Sequence, residues 1–212
     1  MPRITKLKAQ KNRNRVNLYL DGEYATSLDL LTVTKLGLKV GMDISQTELK
    51  KLVRTHQYEK LLNRAAHFLS YRPRSEKELR TYLQRKWRPE TNKEKHTKTL
   101  EKVIGKLKKQ GVVNDQEFAE WWVQQRQTFR PKGKILLTQE LRQKGIDGKI
   151  IEKALTTLDD YTQASNVAEK KRKSLRGLEP NKSRLRLISF LQRRGFTWET
   201  IRRVIDESIV QE

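Results

Sequence analysis

The chain has 212 residues, 35% of them hydrophobic, and carries 47 Lys and Arg against 25 Asp and Glu for a formal net charge of +22. That length suits one or two ordinary domains, and the apolar content, though low, suffices for slender helical bundles. There is no cysteine, which excludes a disulfide scaffold and thiol chemistry and fits a reducing compartment, and no apolar run resembles a signal peptide or a membrane span, so a soluble cytoplasmic protein is expected.

Residues 1–44 differ from the rest. Val16, Leu18 and Leu20 alternate with Asn17 and Tyr19, Asp21-Gly22 supplies a hairpin turn, and Glu23 to Leu28 returns as the partner strand. Ile4 to Ala9 adds a third strand across the basic turn Lys11 to Arg15. A short helix from Asp29 stops at Gly37, and Gly41 punctuates the exit.

From Ser45 onward the pattern is helical. Ser45 with Glu48 and Ser75 with Glu78 read as capping boxes, and Leu62, Ala65, Ala66 and Leu69 form a buried stripe. Asp115 is placed to cap a helix carrying Phe118, Ala119, Trp122, Val123 and Arg126. Pro73, Pro89, Pro131 and Pro180 fall between helices, where a missing donor does no harm.

The helical part repeats. Leu137, Leu141, Lys144-Gly145-Ile146, Ile151 and Leu155 recur 50 residues later as Leu187, Leu191, Arg194-Gly195-Phe196, Ile201 and Ile205. Leu79, Leu83 and Lys86 form a more diverged copy 58 residues upstream of Leu137, Leu141 and Lys144. There Trp87 replaces the glycine, and a polar insertion follows from Pro89 to Lys95. The loop into the middle helix recurs as Arg72-Pro73-Arg74-Ser75, Arg130-Pro131-Lys132-Gly133 and, loosely, Pro180-Asn181-Lys182-Ser183. Repeats that cannot bury an apolar face alone stack on their neighbours. The expected fold is mainly α: three tandem three-helix repeats over residues 45–115, 116–163 and 164–212. They would form an elongated curved stack behind a small N-terminal extension, residues 1–44, that contains a β-hairpin.

One set of residues carries a family likeness. Asn114-Asp115, Phe118-Ala119, Trp122-Val123 and Arg126, then Pro131-Lys132-Gly133, then Glu140-Leu141 and Lys144-Gly145-Ile146, resemble the RecX family in order and spacing. Arg72 to Glu76 with Glu78-Leu79 resembles that family's first unit, and the N-terminal hairpin segment resembles the extension of some longer members. The resemblance spans about residues 45 to 206. It implies a non-enzymatic modulator that binds the RecA recombinase filament on single-stranded DNA, restraining filament growth, ATP hydrolysis and strand exchange in recombination and DNA repair.

The charge independently calls for a polyanionic partner, whether nucleic acid, an acidic protein surface or membrane phosphates. Arg72, Arg74, Arg130, Lys132, Lys134 and Lys182 lie just before or within helix starts, where the dipole disfavours cations by a few tenths of a kcal/mol. Local stability does not explain them, and free helix N–H groups beside Arg or Lys form a receptor for phosphate or carboxylate; the bland alternative is a solvated basic loop. Arg186 and Arg193 stand along one side of a helix and suit an acidic groove or a phosphate track. Lys170 to Lys173 wrap a helix and read as a surface feature. Lys86, Lys144 and Arg194 read as helix-end caps rather than contacts. Of the adjacent Trp121 and Trp122, the second is expected to be packed, the first to be interfacial or partly buried against a neighbouring unit.

Enzymatic readings fail on inventory. His56, His67 and His96 have no metal-pair spacing, His56 and His67 are placed on helix surfaces or edges, Gly105-Lys106 and Gly133-Lys134 lack the rest of a P-loop, and Asp159-Asp160 is a junction. No metal, cofactor or membrane is expected, and an extended monomer suits binding in a filament groove. The competing reading is a helical protein that binds nucleic acid directly and without sequence preference.

Overall fold

A computed structural model describes residues 1–11, 14–86 and 93–209, with side chains over 97–207 of the last stretch. Asn12, Arg13, Trp87, the insertion from Pro89 to Asn92 and the His96 side chain lie outside the described residues. The chain forms two compact units, Met1–Ser70 with Tyr82–Leu107, and Tyr71–Thr81 with Lys108–Glu212.

In the first unit, strands β1 (Ile4–Ala9), β2 (Arg15–Leu20) and β3 (Glu23–Asp29) make an antiparallel sheet in the order β1-β2-β3. Asp21 (φ 48°) and Gly22 (φ 88°) both adopt positive φ, as a two-residue hairpin turn matched to strand twist requires. Alternation buries Val16 and Leu18 with Ile4, Leu28, Val33, Ile44 and Leu52. The outer edge of β1 is not left open: Ile4 N–H donates to the Met42 carbonyl and Gly41 N–H to the Ile4 carbonyl, both at 2.8 Å.

Helix α1 (Leu30–Lys35) starts after Asp29 and ends before Gly37 (φ 60°), within a residue of the expected limits. Helix α2 (Gln46–Leu69) opens with the full Ser45–Glu48 capping box. Its buried face is Leu52, His56, Leu61 and Ala65; of the expected stripe Ala65 is buried, Leu62 and Leu69 are half-buried, and Ala66 is exposed, because successive helical residues point about 100° apart and Leu61 takes the central position expected of Leu62. His56 is therefore not on a helix surface. It is 5% exposed, with Nδ1 3.5 Å from Thr32 Oγ1 and 3.7 Å from an Asp29 carboxylate oxygen, and burial pulls its pKa down against the opposing pull of Asp29.

Helices α3 (Glu76–Lys86) and α4 (Lys93–Lys109) complete the first three-helix set. The second set is α5 (Asp115–Phe129), α6 (Lys134–Gln143) and α7 (Gly148–Thr156), and the third is α8 (Asp160–Lys173), α9 (Pro180–Arg193) and α10 (Trp198–Ile209). The residues that recur at a spacing of 50 are the cores of the last two sets: Leu137, Leu141, Ile146, Ile151 and Leu155 in one, Leu187, Leu191, Phe196, Ile201 and Ile205 in the other. No described helix is long and apolar enough to cross a membrane.

Two local expectations change. The residue that caps α5 is Asn114, whose Oδ1 accepts from the amides of Gln116 and Glu117; Asp115 is the first helical residue and turns its carboxylate elsewhere. Pro180 is not between helices but begins α9, where its missing N–H is harmless, and Glu179 caps that helix through the Asn181 and Lys182 amides.

The second unit contains one contact built twice. Asp115 Oδ1 accepts from the Glu76 amide at the start of α3 (2.8 Å), and Asp160 Oδ1 accepts from the Lys134 amide at the start of α6 (3.0 Å). Burial, foremost, pushes both carboxyl pKa values up. The residue before each helix then meets the turn that ends the next repeat's middle helix: Ser75 Oγ donates to the Lys144 carbonyl (2.8 Å), and Gly133 N–H donates to the Arg194 carbonyl (2.9 Å). The turns are formed by Gly145 (φ 81°) and Gly195 (φ 79°), the left-handed caps read from the sequence. At the second junction the backbones touch, since a Cβ on Gly133 would stand 2.2 Å from the Gly195 carbonyl oxygen.

Gly133→Ala is accordingly expected to lower stability by about 1–3 kcal/mol through forced displacement of that junction. Gly105→Ala, whose Cβ would meet nothing within 4 Å, serves as the control and is expected to be neutral or stabilising. Equal thermal-unfolding midpoints for the two variants would remove the close-approach explanation.

Candidate functional site

The loop cations divide into two populations. Arg72 is held inside the second unit by a two-point pairing of its guanidinium with Glu78 (3.1 and 3.0 Å), and it lies over the Trp121 and Trp122 rings at 5.7 and 6.0 Å. Glu78 also accepts from Lys144 Nζ (2.5 Å), whose ammonium lies 5.0 Å from the Trp122 centroid. Glu140, on α6, accepts from Lys132, from Arg126 Nε (2.9 Å) and from Trp122 Nε1 (2.9 Å). Burial alone would raise the pKa values of Glu78 and Glu140, but the cations bonded to each outweigh it and hold both below the usual carboxylate range.

Arg72 and Lys132 thus spend their charge within the fold. The Ser75–Glu78 pair keeps only half of its expected capping box: Ser75 Oγ accepts from the Glu78 amide, while the Glu78 carboxylate turns to Arg72 and Lys144. Lys144 and Arg194 do more than cap helix ends, for Arg194 Nη1 donates to the Pro131 carbonyl (3.0 Å) of the preceding repeat. Arg74 is half-buried, and burial followed by repulsion from Arg72 lowers its pKa. Trp121 and Trp122 are both partly buried against the second repeat's core.

Arg130, Lys134, Lys182, Arg186 and Arg193 form the other population, and their side chains make no ion pair among the described residues. Lys134 and Lys182 sit in the first turns of α6 and α9. Arg130, Arg186 and Arg193 fall on a common surface of the last two repeats, where three adjoining hollows share residues. Trp121, Gln125, Arg126, Phe129 and Arg130 line the first; Phe129 and Arg130 continue into a central hollow of about 650 Å³. On the far side that hollow is bounded by Lys170, Lys171, Ser174, Phe190 and Arg194. Lys171 and Ser174 carry on into the third, with Arg186, Ser189 and Arg193.

This surface is strongly cationic. Among the described residues Glu169 is the one carboxylate lining the hollows, and it stands 3.9 Å from Lys173 Nζ. The run Lys170 to Lys173, read from sequence as a surface feature, is sorted by helix geometry: Lys170 and Lys171 line the hollow, whereas Arg172 donates to the Val204 carbonyl (3.2 Å). Phe129 is hidden in the sequence because it continues the apolar spacing of Phe118 and Trp122, a pattern that reads as core. It is 73% exposed, since α5 runs past its own core before ending. Among the described residues no group of three or more His, Cys, Asp or Glu is arranged to hold a metal ion.

The Glu140 cluster yields a test of sign. A depressed folded-state pKa contributes stability that is present above the ordinary glutamate value of about 4 and is lost as pH falls through the folded pKa. Glu140→Gln is expected to cost about 1–3 kcal/mol at pH 7, because Arg126 and Lys132 forfeit charge-assisted bonds. Urea unfolding at pH 7 and pH 3 checks this: the gap between parent and variant narrows at the lower pH, and a gap independent of pH contradicts it.

Comparison with known proteins places this arrangement. Family models match as "RecX, first three-helix domain" over residues 62–91, "RecX, second three-helix domain" over 114–155 and "RecX, third three-helix domain" over 159–205. A "Regulatory protein RecX N-terminal domain" model matches residues 2–45. The chain is 36% identical to the regulatory protein RecX of Bacillus pumilus over 213 residues, covering 98% of this chain and 78% of that one. It is 35% identical to the RecX of Bacillus subtilis over 211 residues, with 98% and 77% covered. A crystal structure of regulatory protein RecX superposes with a TM-score of 0.68 at 26% identity over 97% of this chain and all of the other. That of RecX from Lactobacillus salivarius gives 0.61 at 25% identity over 71% and 95%. With a sheet-bearing N-terminal segment and three tandem three-helix domains each matched in order, the chain belongs to the RecX family.

Proposed function

We propose that this chain is a non-enzymatic regulator that binds the RecA nucleoprotein filament on single-stranded DNA, in the filament's helical groove, and restrains its growth, ATP hydrolysis and strand exchange. The observation that carries the reading is family membership along nearly the whole chain, because the relatives are named regulatory proteins. Charge supports it. Arg130, Arg186 and Arg193 have no ion pair among the described residues and lie on one cationic surface, suited to acidic protein faces or phosphates. Catalysis is not required, since a ligand that prefers one filament state over another shifts the population by that preference alone. A hundredfold preference for a blocked state over a growing one is worth about 2.7 kcal/mol, within the ordinary range of coupling energies. Tandem repeats give one chain the means to touch more than one filament protomer and so to couple them.

Added to RecA on single-stranded DNA, the protein is expected to lower steady-state ATP hydrolysis and shorten filaments imaged by electron microscopy. Unchanged hydrolysis and filament length at saturating protein would eliminate the proposal. Replacing Arg130, Arg186 and Arg193 together with Ala is expected to weaken the effect at least tenfold without altering the melting temperature. Undiminished regulation by that variant would move the binding face to another surface.

A further inference from the structure

We infer that the apolar surface formed by α1 and the loop after it, residues 30–42 of the N-terminal extension, is a docking site for an acidic amphipathic segment of another protein, one that intersperses Asp or Glu with large apolar side chains. The site lies wholly within the first unit, and the inference does not depend on filament regulation. It rests on which apolar side chains the extension leaves outside its own core and on the charge that surrounds them.

Five of the thirteen large apolar side chains exposed among the described residues fall in this short segment: Leu30, Leu31, Leu36, Val40 and Met42, with Leu31 65% and Val40 60% exposed. Folding gives no reason for them, since Val33 is the segment's buried contribution to the core and Leu38 packs against it. Along α1 successive side chains turn by about 100°, so with Thr32 and Val33 buried, Leu30, Leu31, Thr34 and Lys35 form one continuous outer face. An exposed apolar cluster of this kind marks a surface that another molecule covers. The surface is also held in shape. Leu38 N–H donates to the Val33 carbonyl (3.0 Å), Gly41 N–H to the Ile4 carbonyl and Ile4 N–H to the Met42 carbonyl (both 2.8 Å), and Lys39 N–H to Met42 Sδ (3.3 Å). A partner meets an ordered surface, and binding it carries little ordering cost.

Charge selects the occupant. Between residues 30 and 42 the ionisable side chains are Lys35 and Lys39, both exposed and without an ion pair among the described residues. The carboxylates at either end of the segment are engaged elsewhere: Asp43 accepts from Arg3 Nε (3.0 Å), and Asp29 stands 3.8 Å from Arg15 Nε and 3.7 Å from His56 Nδ1. The two free ammonium groups therefore call for carboxylates on the partner, and a net charge of +22 steers anionic segments toward the chain and basic ones away. A second copy fits badly, because a twofold contact of this patch with itself brings four lysines and no carboxylate into one interface. A lipid surface fits badly too, since α1 is about 9 Å long and carries one lysine, too small for an interfacial anchor. Nucleic acid would satisfy the lysines and leave the aliphatic side chains in water.

The test uses the full chain with no recombinase present, so that its outcome stands apart from that of filament regulation. Fluorescence anisotropy would be measured with three labelled peptides of equal length: one with Leu and Phe at i, i+3, i+4 and i+7 and Glu between them, the same peptide with Ser in place of Leu and Phe, and the same with Lys in place of Glu. The first is expected to bind at least tenfold more tightly than either of the others. Leu31→Ser with Val40→Ser is expected to weaken it about tenfold and leave the serine peptide unchanged. Lys35→Glu with Lys39→Glu is expected to weaken it similarly and to strengthen the lysine peptide. Val112→Ser, at an exposed apolar position in the second unit, is the control and is expected to change nothing. Circular dichroism melting of each variant confirms that the fold is intact. Equal binding of the first peptide and its serine counterpart, or parental affinity in the Leu31→Ser, Val40→Ser variant, would overturn the inference. So would a dimer in sedimentation equilibrium, or flotation with phosphatidylserine vesicles, that this variant abolishes, since the patch would then belong to a second copy or to a membrane.

Discussion

The second unit depends on the way one repeat's middle helix begins on the turn that ends the next repeat's middle helix. A helix start offers unpaired amides, and a helix end offers unpaired carbonyls. At both junctions each need is met by the other side. Asp115 and Asp160 accept from the first helical amides of α3 and α6, while the carbonyls of Lys144 and Arg194 accept from Ser75 and Gly133. Glycine makes the approach feasible twice over, by adopting the left-handed turn at Gly145 and Gly195 and, at Gly133, by having no side chain where two backbones touch. Each junction is therefore specified by backbone geometry and one carboxylate, half-buried at Asp115 and buried at Asp160, and the apolar residues that recur at a spacing of 50 fill the second and third repeats.

This constraint also sorts the charge. A chain of net charge +22 would repel itself if every cation were left on the surface, and the junctions enlist several of them. Arg72, Lys144, Arg126 and Lys132 alternate with Glu78 and Glu140 around Trp122, so that two carboxylates organise four cations and an indole. Arg194 crosses to the Pro131 carbonyl and lies on Phe190. Arg130, Lys170, Arg186 and Arg193, on the hollows of the last two repeats, are among the described cations that folding leaves without an ion pair. Function is better sought in that remainder than in total charge.

The repeats are legible in the sequence because side-chain spacing reports helix faces directly. The two-residue hairpin at Asp21-Gly22, the glycine caps and the leucine ladder all follow from local rules, and all are found. Partners distant in the chain are not legible. Arg72 resembles a phosphate ligand because its carboxylate, Glu78, is reached by side-chain folding across a proline, and Lys132 does so because Glu140 lies further along the helix that Lys132 precedes. Asp115 looks like a cap for its own helix, but it serves α3, which begins 39 residues earlier. Phe129 is invisible for the opposite reason. Its spacing mimics the core stripe, but the buried residues of α5 end at Val123 while the helix continues to Phe129, which is exposed.

The third repeat shows what happens when the helix start is closed by its own chain. By the 50-residue offset α9 should begin at the counterpart of Lys134, but it begins four residues earlier, at Pro180, with Glu179 bonding the Asn181 and Lys182 amides. Ser183, the counterpart of Gly133, then lies inside the helix and its amide donates to the Glu179 carbonyl (2.9 Å). The amides that α3 and α6 offer to a following repeat are thus satisfied locally in α9. Residue identity follows the change of environment. Leu136, whose Cβ lies where a side chain on Gly195 would be, has as its counterpart Arg186, an exposed cation on the third hollow. Releasing one helix start from junction duty is what allows a position that is apolar in the second repeat to carry charge in the third, and it links the geometry of the repeats to the cationic surface they present.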